Sequence, residues 1–242
     1  MIKYFSLKIL QFFDLYYQYK LFKFLKKKNY QNFDVFFDVG AHKGESIILF
    51  SKNFNIKKMF SFEPSPINFE QLMKNRPSIQ SKFKNLEIIL ENFALGLEKK
   101  EISMRQLSES SSSTINQIDQ NSKYFKRKNF FLGLGKNKAL TDVVEIKQIK
   151  LSDYLEEKNI FKIDFLKIDT EGYEFKVLLG MGKHLQNVSL IMFEHHYHDM
   201  IIKDYSFSDI NDLLIRNNFK QIYKYKMPFR KTFEYVYKKI DK

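Results

Sequence analysis

The sequence predicts an α/β fold, with a mostly parallel central sheet, an antiparallel hairpin at its C-terminal end and a helical extension at its start. Three observations lead there. The runs "FDVFFDV" (33–39), "KKMFSFE" (57–63), "IDFLKID" (163–169) and "VSLIMFEHH" (188–196) are almost continuously apolar, as strands buried on both faces are. Helix-like stretches separate them, and that alternation implies parallel strands joined by right-handed crossovers. Finally, "FKQIYKYKM" (219–227) and "KTFEYVYKK" (231–239) alternate apolar with polar around Pro228, the pattern of an antiparallel hairpin.

Taken in order, residues 1–31 read as a helical extension and residues 32–242 as one domain. The strand at 33–39 runs into the turn "GAHKG" and a helix, "ESIILFSKNF". After the strand at 57–63, Ser65 suits a helix cap and Pro66 its first position, with Phe69, Leu72 and Met73 at helical spacing and Pro77 closing the unit. "NLEIILENFALG" (85–96) reads as a third strand leaving into a loop, and "KKEISMRQ" (99–106) as a fourth. Residues 116–140 look irregular, with Gly133 and Gly135. "VVEIKQIKL" (143–151) alternates as a strand before a short helix. Gly180 stands near the end of the helix that follows residue 173, and Ser208 is placed as the cap of a helix carrying Ile210, Leu213 and Leu214.

Composition narrows the classes. With no Cys, disulfides and thiolate metal sites are excluded. The net charge of +13 permits anionic partners, but the lysines are scattered rather than gathered in a stripe, so no nucleic acid partner is expected. A transmembrane helix needs ~18 or more consecutive apolar residues, and lysines interrupt every candidate. The Phe, Tyr and Lys content of residues 1–30 suits a peripheral membrane contact. Because the basic residues do not share a helical face, packing against the domain is the preferred reading.

In open α/β sheets the ligand sits beyond the carboxyl ends of the strands. Four such ends here carry polar groups: Asp38 with Gly40, Glu63, Asp169-Thr170-Glu171, and Glu194-His195-His196. The first turn lacks the middle glycine of a dinucleotide fingerprint and has no G-K-[ST], so neither that motif nor a P-loop is present. Gly40 permits the tight turn, and Gly44 permits close approach of a ligand or strand. Asp38 is badly placed for a diphosphate and well placed for a cation. Glu63 ends the next strand, where an acid about 20 residues after the glycine turn grips a ribose diol. A pocket with these acids prefers an adenosine-like ligand bearing free ribose hydroxyls, and S-adenosylmethionine fits that description.

"FFDVGAHKGE", "FSFEPSPINFEQL", "ENFALG", "SSSST", "KLSDYL" and "DFLKIDTEGYEFKVLLG" occur in the order found in the FkbM-type methyltransferases, and the chain resembles that family over about Phe33 to Glu194. His42 stands where the family often has Asn. The resemblance implies a Rossmann-like methyltransferase fold, S-adenosylmethionine as cofactor, and O-methylation of a sugar, glycan or small-metabolite hydroxyl. It also implies that Asp38 and Gly40 line the methionine part, that Glu63 holds the ribose, and that Asn92 and Ala94 flank the adenine; His42 and Gly44 of the same turn are assigned to cofactor binding with them. Asp169 and Glu171 match the acidic motif at the pocket mouth. A cytoplasmic setting follows from where that cofactor is made.

Methyl transfer to a hydroxyl needs an aligned oxygen and a base. Asp169, Glu171, His195 and His196 are the candidate bases, with His195 or Asp169 preferred because His titrates near neutral pH. "EHHYHD" (194–199) carries ligand types suited to a divalent metal, but consecutive strand residues point in opposite directions. A metal is therefore not favoured, and no metal ligand is assigned. Two other classes share such a fold, a nucleotide-dependent oxidoreductase and a non-catalytic binding module. The missing glycine counts against the first, and the intact acids at the strand ends against the second.

Overall fold

The computed structural model describes residues 2–107, 113–132, 140–228 and 230–240. The serines at 108–112 of the polar loop, and Gly133 and Gly135, lie outside the described residues. The chain begins with α1 (Ile2–Lys27), followed by β1 (Asn32–Val39), α2 (Glu45–Asn53), β2 (Asn55–Phe62), α3 (Pro66–Lys82), β3 (Glu87–Glu91), β4 (Ala94–Gly96) and β5 (Lys100–Leu107). Then come β6 (Gln117–Ile118), α4 (Lys123–Leu132), β7 (Leu140–Lys150), α5 (Leu151–Glu157), β8 (Ile163–Ile168) and α6 (Glu174–Gly180). A 3₁₀ turn (Gly182–Asn187), β9 (Val188–His196), β10 (Ile201–Ile202), α7 (Phe207–Arg216), β11 (Phe219–Lys226) and β12 (Thr232–Lys239) complete it.

The main sheet has seven strands in the order β11-β12-β9-β8-β1-β2-β3. The five from β9 to β3 are parallel, and β12 and β11 add antiparallel at one edge. This is the mixed, Rossmann-like α/β class that the apolar runs predict. The sheet carries a core on each face, which is why its inner strands read as unbroken apolar runs. On one face Phe37, Leu166, Ile191 and Phe193 pack with Leu155, Val177 and Leu214 of the flanking helices. On the other, Phe36, Phe165 and Leu190 pack with Phe50, Leu72 and three residues of α1, Leu21, Phe22 and Leu25. The C-terminal half of α1 is thereby part of the core. No helix among the described residues is long and apolar enough to cross a membrane.

Several local expectations are corrected. Pro77 lies inside α3 rather than ending it. It removes only one helical hydrogen bond, and Ile79, two turns beyond Leu72, is buried against the α2 entrance and carries the helix on to Lys82. The cap of α7 is Ser206, not Ser208: Ser206 accepts from the Asp209 backbone while Asp209 accepts from Ser206, a reciprocal capping box. Residues 85–96 are two strands, not one. β3 ends the main sheet, whereas β4 joins β7 and β5 in a separate three-stranded sheet. That small sheet rests on α6, where a Cβ on Gly180 would fall 1.9 Å from the Gly96 carbonyl oxygen. The stretch 116–140, expected to be irregular, contains β6 and α4, with Phe125 packing on Met200 and Ile201.

Candidate active site

A cavity of about 640 Å³ opens at the carboxyl edge of the main sheet. It is bounded by the turn after β1, the Glu63 end of β2, the Asp169–Glu171 turn after β8, and Glu194 on β9. Its depth comes from tight backbone at the β1 turn. Gly40 has φ +88, and a Cβ there would lie 1.9 Å from the Asp169 carbonyl oxygen, so no other residue fits without displacing the neighbouring strand. The Gly40 and Ala41 amides both donate to the Phe62 carbonyl, at 2.9 and 3.0 Å, and Asp169 donates to the Val39 carbonyl at 2.9 Å. Three strand ends are tied together in this way.

Glu63 is buried on the cavity wall. One carboxylate oxygen accepts from the His42 amide at 2.8 Å, the other from the Ser65 amide at 2.9 Å. Burial pushes its carboxyl up to about 7, against the opposing pull of those two amides. A carboxylate has about four lone-pair positions; with the Asn68 side chain also donating to Glu63, about one remains for a ligand hydroxyl. The His42 ring turns away to Glu45, 3.2 Å from its Nδ1, and only its backbone serves Glu63. Asn92 does not line the cavity. Its amide donates to the Glu63 carbonyl at 2.8 Å and the Pro64 carbonyl at 3.3 Å, fixing the turn that aims Glu63. Ala94 does line it, next to Phe93 and Leu95. Gly44 also lies off the cavity, heading α2 with φ +94 and backing onto Leu72 and Ile79.

Asp38 holds a cation, but one from this chain. It is fully buried, 2.9 Å from the Lys167 ammonium, and also accepts from the Ser46 hydroxyl. Burial alone lowers the Lys167 pKa, yet Asp38 and Asp169 together outweigh it and hold the ammonium above its ordinary value. Lys167, 3.5 Å from Asp169, links the β1 turn to the acidic turn. Sequence reasoning missed it, since a lysine in an apolar strand gives no signal until its partner strand is known.

The turn after β8 is held from below by Glu174, which accepts from the Gly172 amide at 2.9 Å, the Thr170 hydroxyl at 3.1 Å and the Tyr205 hydroxyl at 2.5 Å. From above, Thr114 donates to the Glu171 carbonyl at 2.7 Å and Asn116 to the Gly172 carbonyl at 2.5 Å. Thus Asp169 and Glu171 are presented to the cavity by a turn fixed on both sides.

The two histidines of β9 part company. His195 is buried on the face away from the cavity, among Tyr197, Tyr205 and Phe207, with Lys203 3.4 Å from its Nε2. Burial, aided by Lys203, lowers its pKa to about 3. His196 falls on the Glu194 side: its Nε2 lies 3.3 Å from Glu171 and 3.6 Å from Glu194, and its Nδ1 lies 3.2 Å from the Thr232 hydroxyl. Strand alternation, which sends neighbours to opposite faces, therefore brings His196 to the acids in place of the preferred His195. Glu194 itself is driven well above the ordinary carboxyl value, by burial first and then by Asp169, Glu171 and Glu234. Among the described residues no group of three or more His, Asp or Glu side chains is arranged to hold a metal.

The Methyltransferase FkbM domain family matches residues 38–225. The hexuronic acid methyltransferase AglP of Haloferax volcanii is 27% identical over 164 residues, covering 67% of this chain and 56% of that protein. The crystal structure of Methyltransferase FkbM from Methylobacillus flagellatus KT superposes with a TM-score of 0.50 at 14% identity, over 85% of this chain and 44% of that one. Magnesium protoporphyrin IX methyltransferase (ChlM) from Synechocystis PCC 6803 with bound SAH gives 0.53 at 9% identity, over 98% of this chain and 87% of that one. The chain thus spans about half the length of the first two proteins it matches. With the match reaching from the Asp38 turn to the hairpin, and the fold agreeing, the chain belongs to the FkbM methyltransferase domain family.

Proposed function

We propose that this chain is an S-adenosylmethionine-dependent methyltransferase acting on a hydroxyl oxygen of a sugar, a glycan or another small metabolite. The observation that carries the reading is Glu63, a buried carboxylate on the cavity wall that keeps about one acceptor position after its bonds from two amides and the Asn68 side chain. A ribose hydroxyl satisfies it. The residues fit the rest of the cofactor as well. Gly40 and Ala41 line the cavity at the β1 turn, and Phe93, Ala94 and Leu95 form an apolar wall beside Glu63 for a purine. Asp169 and Glu171 supply negative charge suited to a sulfonium and an ammonium.

When bound, S-adenosylmethionine supplies a methyl carbon to the acceptor oxygen: the O–C bond forms as the C–S bond breaks, and the electron pair stays on sulfur as a thioether. The chain's own part is to take the hydroxyl proton and hold the oxygen in line. Glu171 accepts that proton in this scheme, with His196 3.3 Å behind it to share the charge. Asp169, paired at 3.5 Å with Lys167, orients. Support for a carbohydrate acceptor comes from AglP, whose name describes a hexuronic acid methyltransferase.

The test is calorimetric titration with S-adenosylmethionine, S-adenosylhomocysteine and NAD, on wild type and Glu63→Ala. Micromolar binding of the first two, lost in the variant, is expected. A folded protein that binds neither, or that binds NAD instead, overturns the reading.

A further inference from the structure

The cavity extends well past the residues proposed to hold a cofactor, and its far end is built from α1, which precedes the family match, and from the hairpin where that match ends. The first contributes Tyr17 and Gln18, the second Tyr225, Arg230 and Glu234. Strand register lines these groups up. Tyr225 pairs with Glu234 across β11 and β12, Glu234 with Glu194 across β12 and β9, and Asp169 lies one step beyond the Ile168–Phe193 pair of β8 and β9. The row from Asp169 to Tyr225 crosses three strand spacings, ~14 Å at ~4.8 Å each. At its end the Tyr17 ring stacks on Tyr225, with centroids 3.9 Å apart and planes at 24°.

We propose that this end of the cavity is the acceptor subsite, and that it takes an uncharged pyranoside, with α1 supplying one wall. The proposal rests on the methyltransferase reading only for the name acceptor; the sugar site stands on its own geometry. Aromatic rings suit the C–H face of a sugar, because the ring face carries negative charge and the C–H bonds present positive. Carboxylates accept hydroxyl protons strongly, and Glu171, Glu194 and Glu234 all line the same cavity as the tyrosine pair. Charge selects the neutral ring. Four carboxylates, Asp169, Glu171, Glu194 and Glu234, face this end of the cavity, while Lys167 is engaged by Asp38 and Asp169; among the described residues the cations at this end are Arg230 and Lys20, the latter 5.4 Å from the Tyr17 ring centroid. A free uronate entering there meets repulsion in a partly buried site, where charges are poorly screened. This is a departure from what the name of AglP describes.

The experiment measures binding of methyl glycosides to the full chain by saturation-transfer NMR and calorimetry, with and without S-adenosylhomocysteine. The panel holds the methyl glycosides of glucose, galactose, mannose and rhamnose, and methyl glucuronide. At least one neutral glycoside is expected to bind, more tightly than the glucuronide. Tyr17→Ala is expected to weaken it by about three- to tenfold, with S-adenosylhomocysteine affinity unchanged. Tyr17→Leu, which keeps apolar bulk without the ring, is expected to show the same loss and covers the case in which alanine unseats the helix. Preference for the glucuronide, binding of no glycoside, or neutral-glycoside binding indifferent to both variants overturns the proposal. Sugar binding without any S-adenosylhomocysteine binding keeps this site and sinks the methyltransferase reading instead.

Discussion

Glu194 and Glu234 stand directly opposite each other across the β9–β12 ladder, and both line the cavity. Like charges so placed repel, and burial adds to the cost for Glu194, whose carboxyl is driven well above its ordinary value.

Replacing Glu194 by Gln is expected to stabilise the protein at neutral and alkaline pH. A carboxyl raised in the fold favours folding below its unfolded pKa, and that contribution is lost as pH rises through the folded value. Wild type should therefore lose stability from pH ~4.5 upward over this range, and Glu194→Gln should lose less. A gain of ~1 kcal/mol, read as about 2–4 °C in Tm, is the expected size; a lower Tm for the variant at pH 8 would contradict it.

Cofactor affinity should fall in acid through Glu63. Its carboxyl is pushed up to about 7, and the ribose hydroxyl is accepted by the ionised form. Between pH 8 and pH 6 the S-adenosylhomocysteine Kd is expected to rise by about tenfold, and Glu63→Gln should abolish the pH dependence along with most of the binding. Titrations at four pH values between 6 and 8 measure it.

Gly40→Ala places a Cβ on the Asp169 carbonyl and an L residue at φ +88. The left-handed conformation alone costs about 1–2 kcal/mol, and the clash adds to it. A Tm drop of more than about 4 °C, with cofactor binding lost, is expected from thermal melts and calorimetry.

The two histidines should separate chemistry from folding. His196→Ala is expected to lower kcat by about 10²-fold or more and to change the shape of the pH–rate profile, while cofactor Kd holds. Glu171→Gln should lower kcat by about 10²–10⁴-fold. His195→Ala is expected to act mainly on Tm, because that ring is buried away from the cavity. Equal kinetic losses at 195 and 196 would refute the assignment.

What the sequence determined by itself was local or periodic. The apolar runs specify the main-sheet strands because burial on both faces demands continuous hydrophobicity, and Gly40, Glu63 and Asp169-Thr170-Glu171 stand out because each follows such a run. The helix-spaced Ile210, Leu213 and Leu214 mark α7 but not its first residue, which is set by Ser206 reaching the Asp209 backbone three residues on. Tertiary structure decided everything that depends on register or on contacts between distant segments. His196 rather than His195 meets Glu171, because β12 pairs Thr232 with His196 and a one-residue shift would reverse the faces. Lys167 pairs with Asp38, which ties that acid to the strand beside it. Tyr17 reaches Tyr225 only because Leu21, Phe22 and Leu25 bury α1 against the sheet. Periodicity records which side of an element is buried, whereas the partner it is buried against is settled by packing of the whole chain.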